Sequence, residues 1–459
     1  MLDEKNVLLI MSDEHRPDAL SVAGHDVVET PVLDELARSG TRFTDAYCPS
    51  PLCAPCRASF ATGRYVHEVS AWDNAASYDG STPSWPEHFS DDGVSTASVG
   101  KTDFRPGVRV FDEQIEPGHR EDPDLNGLYR DPPNVRESGR DRITKAGPTE
   151  EPDWHEQDDE QYTEAAIEWL SARADEDGVD PWVLSLNYIL PHFPLTAERE
   201  YYEQYPESSV DLPYDNPAAD DHPIVEELRD HFDGREIDEE TLRRARSAYY
   251  ALCTRLDENV GRVLDALDRF GLAEDTLVVY TSDHGEMLGD HECWWKCTMY
   301  EQSVGVPLIA RGPNVAENEV VERPVSILDL IPTMADATGV AYDSTWRGES
   351  LTPILRGEDD PNPDRTVFSE YHSHGTSYGA FMIRQNEYKY VYYPENPDQL
   401  FDLEADPREM TNLADDPEFR NVRKRLENEL RSIVDPEAVD QQAHEDQKRR
   451  REQPVEEWW

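Results

Sequence analysis

Lysine is nearly missing from this chain: seven residues, at positions 5, 101, 145, 296, 389, 424 and 448, stand beside 36 arginines. Positive charge is scarce altogether, since 43 basic residues face 98 acidic ones and leave a formal net charge of −55. So acidic a chain repels phosphate backbones, which excludes nucleic acid as a ligand class. Long hydrophobic runs are absent too. No stretch approaches the roughly 20 apolar residues that a membrane span requires. The start, Met1-Leu2-Asp3-Glu4-Lys5-Asn6, leads into an apolar run of only five residues, unlike a signal peptide. No membrane association and a cytoplasmic location are the expectations. Cysteine is sparse: six residues (48, 53, 56, 253, 293 and 297) are too few and too clustered for a disulfide framework. Cys53-x-x-Cys56 with Cys293-x3-Cys297 has the count of a four-cysteine zinc site, but each pair belongs to a different motif that explains its surroundings better.

The acidity admits two readings, a disordered chain or a folded one solvated for high salt. Apolar runs at 7–11, 182–186 and 276–280 recur, and 43 aromatic residues are there to be buried, so the folded reading prevails. At molar salt the Debye length is about 3 Å, which screens such self-repulsion and points to a halophilic host.

Strand-like segments at 6–14, 94–99, 181–189, 276–282 and 306–310 alternate with helical ones at 30–40, 161–174, 239–270 and 326–338. This alternation predicts an α/β fold: a large mixed, mostly parallel sheet sandwiched by helices, occupying residues 1–360. From about residue 365 tyrosine-rich alternating segments (366–371, 379–384, 388–393 and 400–403) precede a helix over 418–434. They predict a smaller C-terminal α+β subdomain over 361–435, an antiparallel sheet plus a helix. Residues 436–459, ending in Trp458-Trp459, read as a polar, mobile tail. The stretches 104–160 and 196–236 are long, acidic and rich in Pro, Gly and Asp; they read as loops that choose the substrate.

Asp13-Glu14 ends the first predicted strand and Asp283-His284-Gly285 ends another, at the sheet edge where α/β proteins bind ligands. Together they suit one hard cation held by oxygens and a single imidazole; separately each reads equally well as a solvated strand end or a turn. In Cys53-Ala54-Pro55-Cys56-Arg57 the proline suits a first helical turn. That places Cys53 at a helix N-terminus, an anion site with a polarised thiol, and Arg57 one turn on.

Cys53-x-Pro55-x-Arg57 followed by Thr62-Gly63-Arg64 resembles the signature of type I sulfatases, of the alkaline-phosphatase superfamily. Further matches follow in the family's order: Met11-Ser12-Asp13-Glu14-His15-Arg16-Pro17-Asp18, Trp72-Asp73-Asn74, Gly100-Lys101, Pro191-His192-Phe193-Pro194, Ser282-Asp283-His284-Gly285-Glu286, Lys296, Leu400-Phe401-Asp402-Leu403 and Asn412-Leu413. The resemblance spans roughly residues 5–435 and leans to the choline-sulfatase and phosphonate monoester hydrolase branch. It implies an alkaline-phosphatase-like fold and hydrolysis of a sulfated small molecule or carbohydrate. The nucleophile it implies is a formylglycine hydrate, which a formylglycine-generating enzyme makes from Cys53. It further implies one divalent metal, calcium first and magnesium or manganese as alternatives, on Asp13, Glu14, Asp283, His284 and an oxygen of modified Cys53. Arg57, Lys101, His192 and Lys296 take catalytic roles by the same resemblance, and Asn74 a sulfate contact. One departure stands out: many sulfatases follow this lysine with Trp-His, whereas Lys101 is followed by Thr102-Asp103. A phosphonate monoester or phosphodiester hydrolase using the same site is the alternative. The natural ester and the oligomeric state stay open, although the acidic loops weigh against a strongly anionic polymer unless salt screens its approach.

Overall fold

The computed structural model describes residues 6–130, 133–136, 138–174, 181–214 and 222–459. Met1–Lys5 of the predicted start, and residues 131, 132, 137 and 215–221 of the two long loops, lie outside them. Among the described residues the large sheet has strands β1 (Asn6–Asp13), β2 (Thr41–Tyr47), β3 (Ser95–Lys101), β4 (Glu113–Gly118), β5 (Trp182–Pro191), β6 (Thr276–Ser282), β7 (Gly305–Arg311), β8 (Glu319–Val321) and β9 (Val325–Ser326). The spatial order is β8-β2-β7-β6-β1-β5-β3-β4, with β9 also on β2. Only β7 runs against its neighbours β2 and β6; the other pairings are parallel. The mostly parallel mixed sheet is thus observed. Its central strands β1, β5 and β6 are buried almost end to end, because strands covered on both faces need apolar residues throughout rather than in alternation.

Helices α1 (Pro31–Arg38), α2 (Cys53–Thr62), α3 (Trp154–Ala174), α4 (Glu239–Arg269) and α5 (Leu330–Thr338) accompany this sheet. A second, antiparallel sheet contains β10 (Val367–Tyr371), β11 (Ala380–Gln385), β12 (Tyr388–Tyr392) and β13 (Gln399–Asp402). Helix α6 (Arg420–Ile433) packs on it through Leu426 and Leu430. No described helix is long and apolar enough to cross a membrane.

Three expectations need correction. The 436–459 stretch is not a loose tail: α7 (Pro436–Glu452) buries Ala443 and Gln447, and Asp440 accepts from Arg130 at 2.8 Å. Its anchors are polar groups, so no apolar stripe announced the packing. The loop 104–160 carries β4 and a helix over Ser138–Thr144, while 196–236 carries a helix over Pro223–Phe232. β4 reads Glu-Gln-Ile-Glu-Pro-Gly and lies half-exposed at the sheet edge, where a strand needs little apolar content. Strand β2, with charged or polar residues at alternate positions, was likewise not anticipated.

Candidate active site

The sheet order assembles the site. Four neighbouring strands, β6, β1, β5 and β3, end side by side and present Asp283-His284, Asp13-Glu14, Pro191-His192 and Lys101. Register fixes the first two: Ser12 faces Ser282, and the Asp283 amide donates to the Ser12 carbonyl at 3.2 Å. The residue after β1, Glu14, takes a positive φ of 67°, which turns the chain out of the sheet. Helix α2 then points its N-terminus at this edge. Cys53 is its first residue, and the Asn74 side-chain oxygen accepts the otherwise unpaired Ala54 amide at 3.1 Å. Asn74, expected at the sulfate, therefore spends its oxygen on the helix, yet it also lines the cavity.

Asp13, Cys53, Asp283 and His284 converge, with one ligand-type atom from each within 4.8 Å of the others. Cys53 Sγ is 3.2 Å from His284 Nε2 and 3.8 Å from Asp13 Oδ1. His284 Nδ1 donates to the Gly285 carbonyl at 3.0 Å, so the lone pair on Nε2 is directed at the cluster. All four residues are buried. Two carboxylates and an imidazole brought so close suit a hard cation, so the residues present fit the divalent metal that the resemblance implies.

Arg57 braces the cluster: Nε donates to Asp283 Oδ2 at 2.8 Å, one terminal nitrogen to the Lys101 carbonyl at 2.6 Å, and the other approaches Asp13 at 3.5 Å. Lys101 Nζ pairs with Asp13 Oδ2. Glu14 stands apart from this quartet: its Oε2 meets Lys296 Nζ at 2.9 Å and His192 Nε2 at 3.3 Å. Where the family's histidine would follow Lys101, Asp103 instead bridges Lys101 at 3.7 Å and Arg120 at 3.0 Å.

Electrostatics follow from burial and these pairs. Burial alone would raise Asp13, but Lys101, His192, His284 and Arg57 hold its carboxyl well below the usual range. Glu14 goes the other way, raised by burial that Lys296 offsets only in part. Burial and Lys296 push His192 well below an ordinary histidine. The Cys53 thiol is pushed up to about 12, by burial first and Asp13 second. The polarised thiol expected from the helix N-terminus is therefore not found: desolvation and carboxylates outweigh the helix start. In the unmodified side chain, burial and Asp13 thus disfavour the thiolate.

A cavity of about 170 Å³ opens over Cys53. Lys101, His192, Lys296 and Asn74 line it, as do residues that sequence reasoning did not single out: Arg120, Asp124, Arg136, Arg142 and His374. The first four come from the stretch read as an acidic loop, which thus brings three arginines and one carboxylate to the cavity among its described residues. Their signal was weak because single arginines in irregular segments carry no periodicity. Cys297 also lines the cavity, with Sγ 3.7 Å from His374 Nε2; a four-cysteine cluster does not form among the described residues. Trp458 and Trp459 are not in the wall; Trp459 lies under Arg105, 5.3 Å from its ring centre.

Comparison with known proteins agrees with this geometry. The family profile described as Sulfatase matches residues 5–340, and that of the C-terminal part of N-sulphoglucosamine sulphohydrolase matches 289–435. A choline-sulfatase of Rhizobium meliloti (strain 1021) is 34% identical over 430 residues, covering 90% of this chain and 83% of the relative. Arylsulfatase K of Bos taurus is 30% identical over 468 residues, covering 96% and 84%. Among solved structures, a phosphonate monoester hydrolase from Silicibacter pomeroyi superposes with a TM-score of 0.79 at 27% identity, covering 94% of this chain and 95% of the other.

Proposed function

Because the chain belongs to the sulfatase family, we propose that it cleaves a sulfate ester to an alcohol and inorganic sulfate with a formylglycine formed from Cys53 and one divalent cation. The observation that carries this reading is the buried convergence of Asp13, Asp283 and His284 on Cys53, whose Sγ stands in for an oxygen of the hydrated aldehyde. Asp13, Asp283 and His284 would hold the cation, with Glu14 as a further carboxylate on its Lys296 side. Calcium suits the oxygen donors best, and magnesium or manganese are alternatives. When bound, the metal supplies Lewis acidity that lowers the pKa of a hydroxyl of the formylglycine hydrate, the group that attacks sulfur.

The remaining work falls to the chain's own residues. Lys101 and Lys296 place fixed positive charge against the sulfate oxygens in a site largely closed to water. Arg57 orients Asp283 and anchors the strand end that carries Lys101. His192 lines the cavity beside Lys296; its Nδ1 donates to the Phe193 carbonyl at 2.7 Å, so Nε2 has to take up a proton before handing it to the departing alcohol oxygen. Modification of Cys53 calls for a formylglycine-generating enzyme as maturation partner. A cytoplasmic, halophilic setting accords with six free cysteines and the net charge of −55.

The test is peptide mass spectrometry of active protein from its native host. A peptide over 43–57 lighter by the difference between thiol and aldehyde, and alkylated at Cys48 and Cys56 but not at Cys53, is expected; an intact Cys53 thiol in fully active protein overturns the proposal. A second reading, phosphonate monoester hydrolysis, draws on the 27% identical solved structure. Rates on 4-nitrophenyl sulfate and an aryl phosphonate separate the two, and a preference for the phosphonate by orders of magnitude favours the second.

A further inference from the structure

The cavity reverses the charge of the chain. Among the described residues, five cations, Lys101, Lys296, Arg120, Arg136 and Arg142, line it against one carboxylate, Asp124. Four of the five already have acidic partners: Lys101 with Asp13, Lys296 with Glu14, Arg120 with Asp103, and Arg136 with Asp124 at 2.9 Å. Arg142 differs. Among the described residues no carboxylate pairs with it; its guanidinium lies over the Phe193 ring, 4.2 Å from the centre, and Lys296 Nζ is 5.0 Å from the same centre. Burial, and then Arg136, press its pKa down to about 10, more than the more distant charges of Asp124 and Glu14 offset.

Such a wall is poorly suited to a cationic alcohol, which would enter beside the Arg142 guanidinium and find the face of Phe193 already in use. It suits an anion, because a guanidinium matches the planar fork of a carboxylate or two oxygens of a sulfate. The reacting sulfate has Lys101 and Lys296 beside Cys53. Arg142 comes from a separate part of the wall, the helix over Ser138–Thr144, and is left over for another group, with Arg136 beside it held by Asp124. We propose that Arg142, steadied on Phe193 and assisted by Arg136, binds a second anionic group on the alcohol portion of the substrate, a carboxylate or a further sulfate. The enzyme thereby selects doubly charged sulfate esters over neutral or cationic ones. The inference rests on the sulfatase reading above and adds to it the class of ester.

The experiment uses the mature, metal-loaded enzyme and measures kcat/KM on a methyl hexoside monosulfate, the matching hexuronide monosulfate, the hexoside disulfate, choline sulfate and an aryl phosphonate. One charged hydrogen-bonded pair predicts a preference of at least about tenfold for a doubly charged ester over the neutral monosulfate. Which of the two is favoured identifies the second anion as carboxylate or sulfate. In Arg142→Gln that preference ratio shrinks by about tenfold or more, and Arg142→Lys keeps part of it. A neutral monosulfate turned over as fast as the charged esters, choline sulfate preferred, or a ratio unmoved in a folded Arg142→Gln enzyme overturns the subsite. If Arg142→Gln does not fold, the wild-type panel and Arg142→Lys decide. Turnover of the phosphonate with none of any sulfate overturns the sulfatase reading itself, and the subsite with it.

Discussion

Arg57→Lys keeps a buried positive charge and removes a shape, which makes it a sharp test of how the site is held. In the native protein three guanidinium nitrogens reach Asp283 Oδ2 at 2.8 Å, the Lys101 carbonyl at 2.6 Å and Asp13 Oδ2 at 3.5 Å. An ammonium on a flexible stem cannot span all three. The contact with Asp283 or the one with Lys101 is therefore lost, and a buried acceptor is left unpaired at a cost of about 1–3 kcal/mol. With the weakened approach to Asp13, the expected loss of stability is about 2–4 kcal/mol. The proposed metal ligand Asp283 also loses the donor that orients it, and removal of such a partner typically lowers metal affinity about 10–100-fold. Urea unfolding of both proteins, in chelator and across a calcium titration, measures the two effects separately. The chelator arm reads the strut. The calcium arm reads affinity, as a shift in the concentration giving half of the metal-dependent stabilisation. A variant within about 0.5 kcal/mol of wild type in chelator, with the same calcium midpoint, would refute the bracing role.

Two more outcomes follow from charge. Glu370 is fully buried and accepts from His67 Nδ1 and His372 Nε2, each at 2.9 Å; against the effect of burial these histidines hold its carboxyl down to about 2. A folded value below the unfolded one of about 4.5 stabilises the protein above pH 4.5, and this contribution is lost as the pH falls towards 2. Glu370→Gln should remove about 2–3 kcal/mol at pH 6 and flatten the acid limb of the stability curve between those values; an unchanged limb in the variant contradicts the assignment. The net charge of −55 should make stability climb with salt, by more than about 3 kcal/mol from about 0.1 to 3 M KCl as the Debye length shrinks to about 3 Å; a flat profile in urea unfolding removes the case for a high-salt host.

What could be read from the chain, and what could not, divides along physical lines. Buried parallel strands need continuous apolar residues, so β1, β5 and β6 were visible as runs, and the residues at their ends could be named because a strand end is a definite place. Strand β2, half-polar, and β4, at the edge, pay no such compositional toll and were missed. Helix α7 was taken for a tail because Asp440 and Gln447 hold it, and buried polar contacts leave no hydrophobic period. The thiol failed for another reason. A helix N-terminus favours an anion, but the balance at Cys53 is decided by desolvation and by Asp13, neither of which is a local property of the pentapeptide.

The same division separates chemistry from selectivity in this molecule. Residues proposed for bond breaking sit where register places them, at the ends of four adjacent strands and at the start of α2, so their spacing along the chain is constrained and their order is recognisable. In a chain with only seven lysines, Lys101 and Lys296 stand out at motif positions. Arg136 and Arg142 had no such contrast, being two of 36 arginines in a stretch dominated by acid. Net charge is a sum over the whole surface, whereas a substrate meets only the few groups that line the cavity. Among the described residues those groups are mostly of the opposite sign, and the long acidic segment contributes Arg120, Arg136 and Arg142 to them beside a single carboxylate, Asp124. An acidic composition therefore says how the protein is solvated, and the sign of its preferred substrate has to be taken from Arg142 and its neighbours.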